Sequence, residues 1–198
     1  QHATSRLQSE VGMNLSTTAH QLSDKLDHYM WSRYAEVKLL GSLSTIQQTD
    51  QKVETRRTLE ELQRQIPDFS WIGRLDANGK VIASTNQILE GTSIKERPVF
   101  QEALSQPFIG DVHEAVLLAK LLPNPSGEPL QFVDISTPLY DKGRFSGVLA
   151  THLSFEWAKA IEQSFQSATS SLQKVDVFIV SQDRKTILLG PNGWSGKT

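Results

Sequence analysis

The spacing of apolar residues in the first third of the chain predicts helices. From Leu15 to Leu40, apolar residues recur at spacings of three, four and seven, which is the pattern of a helix with one buried face. A second helical pattern covers Gln51 to Ile66, and Pro67 ends it. We predict that residues 1–66 form a long helical arm. This arm is longer than a small sheet can cover, so part of it should pack on itself, on a second subunit or on a companion helix.

After Pro67 the pattern changes to short apolar runs separated by turn residues. Asn78-Gly79 lies between two such runs, which is a strong signal for a β-hairpin, and Asp141-Lys142-Gly143 marks a second turn. The predicted strands are Phe69–Leu75, Lys80–Ser84, Phe108–Val112, Ala115–Leu122, Leu130–Leu139 and Phe145–Leu153, and the predicted helices are Ile94–Ser105 and Phe155–Leu172. Successive hairpins favour an α+β fold, with an antiparallel sheet that carries the helices on one side.

One internal repeat divides the chain further. The segments WIGRLDANGKVIAS (71–84) and VFIVSQDRKTILLG (177–190) align without a gap, and both have the pattern strand, polar turn, strand. We therefore predict a first sheet subdomain at 67–154, a connecting helix at 155–174, and the start of a second, incomplete sheet unit at 175–198.

Composition narrows the classes of function. The chain has 198 residues, a net charge of −2 and no cysteine. The lack of a basic excess argues against a nucleic-acid partner, and the lack of cysteine excludes disulfides and thiolate chemistry. No segment reaches the roughly 18 apolar residues of a membrane span, and no signal peptide is visible. Because the chain does not start with Met, we interpret it as an excised domain.

Short motifs that resemble catalytic sites do not meet the requirements of those sites. GWSGKT near the end places Pro191 where a phosphate-binding loop needs glycine, and HEAVL has Leu117 where a zinc-protease helix needs its second histidine. There is no Gly-x-Ser-x-Gly nucleophile motif either. We therefore predict no enzymatic activity, no catalytic residue and no cofactor for this domain.

The stretch from Pro67 to about Trp157 resembles a CACHE domain, the extracytoplasmic sensor module of bacterial receptors. The resemblance is carried by LDANGKVIAST, RPVFQEAL, GDVHEAV and STPLYDKGRFSGVLATHLS. The long leading helix and the second sheet unit look like the double-CACHE form. This resemblance implies a PAS-like antiparallel sheet of five strands in a periplasmic domain. It also implies membrane spans on both sides of the domain, outside this chain. The cytoplasmic output would be most like a diguanylate cyclase, with a histidine kinase or chemoreceptor signalling domain as other outputs.

The resemblance also suggests a ligand site. Amino-acid-binding members carry Arg-x-Trp-Tyr on a short helix; Arg97 matches the arginine, whereas Val99 and Phe100 stand at the aromatic positions. His152 stands where the family has the aspartate that takes the amine, so the resemblance implies a small anionic, carboxylate-like ligand. Arginine suits this role because its guanidinium can bind a carboxylate through two hydrogen bonds. The candidate ligand-binding residues are Arg97, His152, His113, Phe100, Trp71 and Asp111.

The same residues could have structural roles in place of ligand binding. Arg97 could pair with Glu96, Glu102 or Asp111 and fasten its helix to the sheet, and Phe100 and Trp71 could be core residues. His113, His152 and Asp111 could ligate zinc, although the loose spacing leads us to predict no metal. The alternative function is a dimerisation or protein-interaction module without a small-molecule ligand, with the long N-terminal helix as the dimer contact.

Overall fold

Three helices precede the sheet. In the computed structural model, which describes residues 2–114, 116–125, 127, 129–169 and 176–190, they are α1 (His2–Gly41), α2 (Ser44–Gln47) and α3 (Lys52–Gln65). The C-terminal part of α1 carries buried residues such as Val37, whereas most of its first half is exposed. The helix ends at Gly41, where a Cβ atom would lie 2.8 Å from the Thr137 side chain.

One antiparallel sheet forms the centre of the fold. Its strands are β1 (Phe69–Asp76), β2 (Val81–Ser84), β3 (Phe108–Ile109), β4 (His113–Glu114), β5 (Gln131–Asp141) and β6 (Arg144–Ser154). The order across the sheet is β2-β1-β6-β5-β3, and β4 pairs with the same edge of β5 as β3 does. The sheet is therefore five strand positions wide, which confirms the predicted α+β class with a five-stranded PAS-like sheet.

The two hairpins form at the predicted turns because their residues meet the local backbone requirements. At the β1–β2 turn, Asp76 Oδ1 accepts hydrogen bonds from the backbone N–H groups of Asn78 (2.8 Å) and Lys80 (3.0 Å). The β5–β6 turn is the pair Lys142-Gly143, and both residues have positive φ, as a two-residue hairpin turn requires.

Three predicted elements differ from the structure. The expected strand Ala115–Leu122 is wrong: Val116–Ala119 forms one helical turn, α5, because a short apolar run does not distinguish strand from helix by its period. The expected helix Ile94–Ser105 is reduced to α4 (Pro98–Gln101), and the expected strand Phe108–Val112 to the two residues of β3.

A second, smaller sheet follows helix α6 (Glu156–Thr169). Its strands β7 (Ile179–Val180) and β8 (Ile187–Leu189) pair antiparallel, as the internal repeat predicted. Residues 170–175 and 191–198, which belong to the predicted connecting helix and second unit, lie outside the described residues. Among the helices that are described, none combines the length and apolar character needed to cross a bilayer.

The two faces of the main sheet have different coverings. Side chains alternate between the faces along each strand, so on β6 Leu149 faces the cluster that includes Val37 of α1. Val148 and Ala150 of the same strand face a second cluster with Ile94 and Phe100. The helical layer therefore covers one face, and the segment between β2 and β5 covers the other.

Candidate functional site

A cavity of about 320 Å³ lies on the face of the sheet opposite the helical arm. That volume is in the range of small-molecule sites in proteins. Four of the six predicted site residues line it: Arg97, Asp111, His113 and His152. The rest of the wall is mainly apolar and includes Leu89 and Leu118.

The polar floor of the cavity comes from two adjacent strands. Asp134 on β5 pairs in register with His152 on β6, so both side chains project from the same face. They are 5% and 7% exposed, and His152 Nδ1 contacts Asp134 Oδ1. Both atoms are buried, and neither has a hydrogen-bond partner among the described residues. Buried polar atoms of this kind are rare and require a reason.

His113 completes this floor from the sheet edge. Its Nε2 atom lies 3.5 Å from Asp134 Oδ1, and its side chain is 39% exposed. Its Nδ1 atom lies 3.2 Å from the backbone oxygen of Asp111. A carbonyl oxygen only accepts, so this hydrogen bond needs the proton on Nδ1. In the neutral imidazole, Nε2 is then the nitrogen that carries the lone pair. The three residues His113, Asp134 and His152 are called the floor cluster below.

Arg97 lies at the edge of the cavity and is exposed. It directly precedes α4, and its side chain makes no ion pair or hydrogen bond with the described residues. The alternative contacts considered from sequence, to Glu96, Glu102 or Asp111, are therefore not formed there; Glu96 instead lies 3.6 Å from Lys95. Because α4 is a single turn, its helix dipole adds little to the charge of Arg97.

Trp71 and Phe100 lie behind the cavity and not on its wall, which corrects their assignment as lining residues. Both are buried in the apolar cluster under the cavity. The indole Nε1 of Trp71 donates a hydrogen bond to the backbone oxygen of Ile88 at 3.0 Å. Its ring centroid lies 5.5 Å from that of His152. Trp71 therefore supports the position of His152 from below.

Asp134 is the functional candidate that sequence reasoning missed. It is the one charged residue inside a run of buried β5 positions, from Phe132 to Thr137. A charged side chain at such a position is rarely fully buried without a partner, and that signal was available in the sequence. The carboxylate of Asp111 is engaged outside the floor of the cavity. It accepts hydrogen bonds from the backbone N–H groups of Val112 (2.8 Å) and Gln182 (3.0 Å).

The cavity wall is linked to the helical arm through one carboxylate. Leu89 lines the cavity, and the next residue, Glu90, accepts hydrogen bonds from Arg56 on α3. Lys52 Nζ and the backbone N–H of Ser84 also bind Glu90, at 2.8 and 3.1 Å. Burial tends to raise the pKa of Glu90, but these hydrogen bonds outweigh it and leave the pKa below its ordinary value. The loop that carries Leu89 is therefore held against α3 through Glu90.

Comparisons with known proteins identify the fold. No protein-family model and no curated protein sequence matches the chain. Solved structures do match. The sensor domain of the V. cholerae histidine kinase DctB has a TM-score of 0.67 at 18% identity, over 91% of this chain and 67% of that one. The ligand-binding domain of the Pseudomonas aeruginosa PAO1 amino acid chemoreceptor PctC, in complex with GABA, has a TM-score of 0.67 at 20% identity. The match covers 89% of this chain and 74% of that one.

A third solved structure extends the comparison. It is the ligand-binding domain of the Pseudomonas fluorescens chemoreceptor CtaA in complex with L-alanine, with a TM-score of 0.65 at 17% identity, over 93% and 74% of the two chains. At these identities the similarity establishes the architecture alone. The chain thus has the fold of the sensor domains of bacterial histidine kinases and chemoreceptors.

Proposed function

We propose that this chain is the extracytoplasmic sensor domain of a membrane-bound signalling receptor, and that its cavity binds a small molecule with a carboxylate group. The observation that carries the proposal is a largely apolar cavity with a cation at its edge, Arg97, whose side chain forms no ion pair with the part of the chain that the structure describes. The fold supports it, because the similar solved structures are sensor domains. The domain itself binds and does not catalyse.

The charges around the cavity indicate how a carboxylate would be oriented. Arg97 at the edge offers a planar fork of donors that matches a carboxylate. The floor cluster adds ring nitrogens that can donate or accept hydrogen bonds, depending on the protonation of His113 and His152. A ligand with one carboxylate at Arg97 and a polar group at the floor would span the cavity and cover its apolar wall.

The contact of Glu90 with α3, one residue after Leu89, gives this proposal a route for the signal. A ligand shifts a receptor only if it binds two arrangements with different affinity. The loop that carries Leu89 is tied to α3 through Glu90 and Arg56, so a ligand that moves Leu89 would change the packing of the helical arm. In the proposed receptor, membrane spans outside this chain pass the change to a cytoplasmic output, for which the sequence resemblance suggests a diguanylate cyclase.

A thermal-shift screen of carboxylates, amino acids and phosphates tests the proposal. A ligand at 100 times its dissociation constant stabilises the folded state by about 2.7 kcal/mol. In a domain of this size, that raises the melting temperature by several degrees. We expect the shift in wild type and in Lys95→Ala, which removes a neighbouring exposed cation that does not line the cavity. Arg97→Ala should lose it and keep the melting temperature of the free protein.

A shift that Arg97→Ala retains would contradict the role of Arg97, and the absence of any shift in a folded protein would contradict small-molecule sensing. The second outcome favours the alternative function, an interaction module. One observation favours that alternative: α1 carries exposed apolar side chains, including Trp31, which is 65% exposed, and Leu39, which is 68% exposed. Sedimentation of wild type and Trp31→Ala at matched concentrations would show whether this helix forms a homodimer.

A further inference from the structure

We propose that the floor cluster, His113, Asp134 and His152, is a binding site for a divalent transition-metal ion of the Zn²⁺ type. Each residue offers one ligand atom, and these atoms all lie within 4.8 Å of one another. Two imidazoles and one carboxylate are a common ligand set for zinc. This site goes beyond the proposed function, because it requires neither Arg97 nor a carboxylate ligand.

The spacing of the atoms fits a tetrahedral ion. Zinc binds imidazole nitrogen and carboxylate oxygen at about 2.0–2.2 Å, so two ligand atoms of a tetrahedral site are about 3.4 Å apart. His113 Nε2 and Asp134 Oδ1 are 3.5 Å apart. The His152 Nδ1 and Asp134 Oδ1 atoms are closer together than that, and a small rotation of either side chain would separate them around an ion.

The chemistry of the three atoms calls for a positive charge between them. His113 Nδ1 donates its proton to the Asp111 carbonyl, which leaves Nε2 as the ring nitrogen that faces the floor, 3.5 Å from Asp134 Oδ1. In the neutral imidazole this nitrogen carries the lone pair with which histidine binds a metal ion. Asp134 Oδ1 and His152 Nδ1 are buried and without hydrogen-bond partners among the described residues. A metal ion would satisfy all three atoms at once, whereas a buried carboxylate oxygen without a hydrogen bond is costly.

The surroundings of the cluster hold its rings as metal ligands are usually held. Histidine ligands of metals nearly always donate their second ring nitrogen to a carbonyl or carboxylate, and His113 does so to the Asp111 carbonyl. The ring of His152 lies between those of Trp71 and Phe132, with centroids at 5.5 and 5.9 Å. These contacts restrict the orientation of the two imidazole rings before an ion arrives.

The ligand set also specifies the class of ion. Imidazole nitrogen favours Zn²⁺, Ni²⁺ and Co²⁺, whereas Mg²⁺ and Ca²⁺ prefer all-oxygen sites. Three protein ligands leave the fourth tetrahedral position open, and all three residues line the cavity. A water molecule would take that position in the absence of other ligands. The partial exposure of His113 gives the ion a path from solvent.

Isothermal titration of tag-free protein with ZnCl₂ tests the proposal. The protein is first treated with EDTA and dialysed into a buffer that contains neither carboxylates nor chelators. We expect wild type to bind one equivalent of Zn²⁺, with an affinity that an excess of Mg²⁺ leaves unchanged. His113→Ala, at a partly exposed position that should tolerate truncation, and Asp134→Asn should each lower the affinity at least about tenfold.

The control is His20→Ala, which removes an exposed histidine of α1 and should leave the affinity unchanged. Co²⁺ binding should give the intense visible absorption of a tetrahedral ion in wild type and lose it in His113→Ala. Wild type that binds no Zn²⁺, or His113→Ala that binds it as tightly as wild type, would overturn the metal site. The zinc titration contains no carboxylate ligand. Its result therefore does not depend on the result of the carboxylate screen with Arg97→Ala.

Discussion

Arg56 on α3 donates two hydrogen bonds to Glu90 on the loop behind the cavity, from Nε to Oε1 at 2.9 Å and from Nη2 to Oε2 at 2.8 Å. This two-point contact fixes the plane of both groups. Lys52 reaches the same carboxylate, and the side chain of Glu90 is only 10% exposed. The pair is thus a defined connection between the helical arm and the cavity wall.

Glu90→Gln should destabilise the domain by about 2 kcal/mol at neutral pH, because hydrogen bonds to charged groups contribute roughly 1.5–3 kcal/mol each and glutamine retains only some of them. Urea unfolding of wild type and variant measures the difference. The matched control is Glu61→Gln, whose exposed pair with Arg64 on the same helix should contribute almost nothing. Equal effects of the two substitutions would show that Glu90 is no more than a surface charge.

The effect of Glu90→Gln should also depend on pH. The hydrogen bonds to Glu90 keep its pKa below the ordinary value in the folded state, so the folded state binds its proton less readily than the unfolded state. The stability that Glu90 contributes is present above the unfolded pKa of about 4.3 and is lost as the pH falls through the folded-state pKa. The unfolding free energies of wild type and Glu90→Gln should converge in acid, and a constant gap would contradict this linkage.

The ionised carboxylate of Glu162 on α6 should have the opposite effect on stability. Burial raises the pKa of Glu162, and the hydrogen bond with Gln166 opposes this only in part. Its ionised form therefore costs stability in the folded state at neutral pH. Glu162→Gln should raise the melting temperature near pH 7, and the gain should disappear below about pH 4.3, where the carboxyl of the unfolded chain is also protonated. A lower melting temperature at pH 7 would show that the charge of Glu162 is stabilising.

The parts of this fold that sequence could predict are those set by local chemistry. Asn78-Gly79 and Lys142-Gly143 place a positive φ where each turn needs it, so both hairpins were predicted with nearly correct ends. The repeat of residues 71–84 at 177–190 predicted the β7–β8 hairpin for the same reason. By contrast, the apolar run at residues 115–122 carries no turn chemistry, and its conformation depends on tertiary contacts that a linear pattern does not contain.

The candidate site was predictable only in part, because its residues come from distant segments. Arg97 and His152 were found through their resemblance to a known motif. Asp134 was missed because its importance depends on pairing with His152, 18 positions away, in the register of β5 and β6. No local pattern specifies that register, and the position of Trp71 behind the wall follows from the same sheet geometry.

Arg74→Ala should destabilise the domain by about 3 kcal/mol or more. The side chain is 1% exposed and donates hydrogen bonds to the backbone oxygens of Ile46 (3.1 Å), Gln47 (2.9 Å) and Ser146 (2.9 Å). Burial lowers its pKa to about 10, so it remains charged at neutral pH. Its loss removes a donor from each of these carbonyls, although that of Gln47 keeps another, the Ser146 hydroxyl at 2.9 Å. Each buried group left unsatisfied costs about 1–3 kcal/mol. Urea unfolding measures the loss.

Arg74→Lys is the informative companion to that substitution. Lysine keeps the charge but has no planar fork with which to reach separate carbonyls, so it should recover little of the lost stability. Arg57→Ala, on the exposed face of α3, controls for the removal of a positive charge and should have almost no effect. Full recovery by lysine would mean that the charge matters at this position and the fork does not.

Gly73→Ala should disturb the support of His152 without changing a charged group. A Cβ atom at residue 73 would lie 2.2 Å from the ring of Trp71, whose side chain is fully buried. The indole would have to move away from its place beside His152, and overpacking of this kind costs about 1–3 kcal/mol. We expect a lower unfolding free energy and a shifted indole N–H resonance for Trp71, because its hydrogen bond to Ile88 would be strained. Gly12→Ala, which meets nothing within 4 Å on α1, should instead stabilise the helix slightly. A Gly73→Ala protein with unchanged stability and an unmoved indole resonance would show that Trp71 does not hold the floor of the cavity in place.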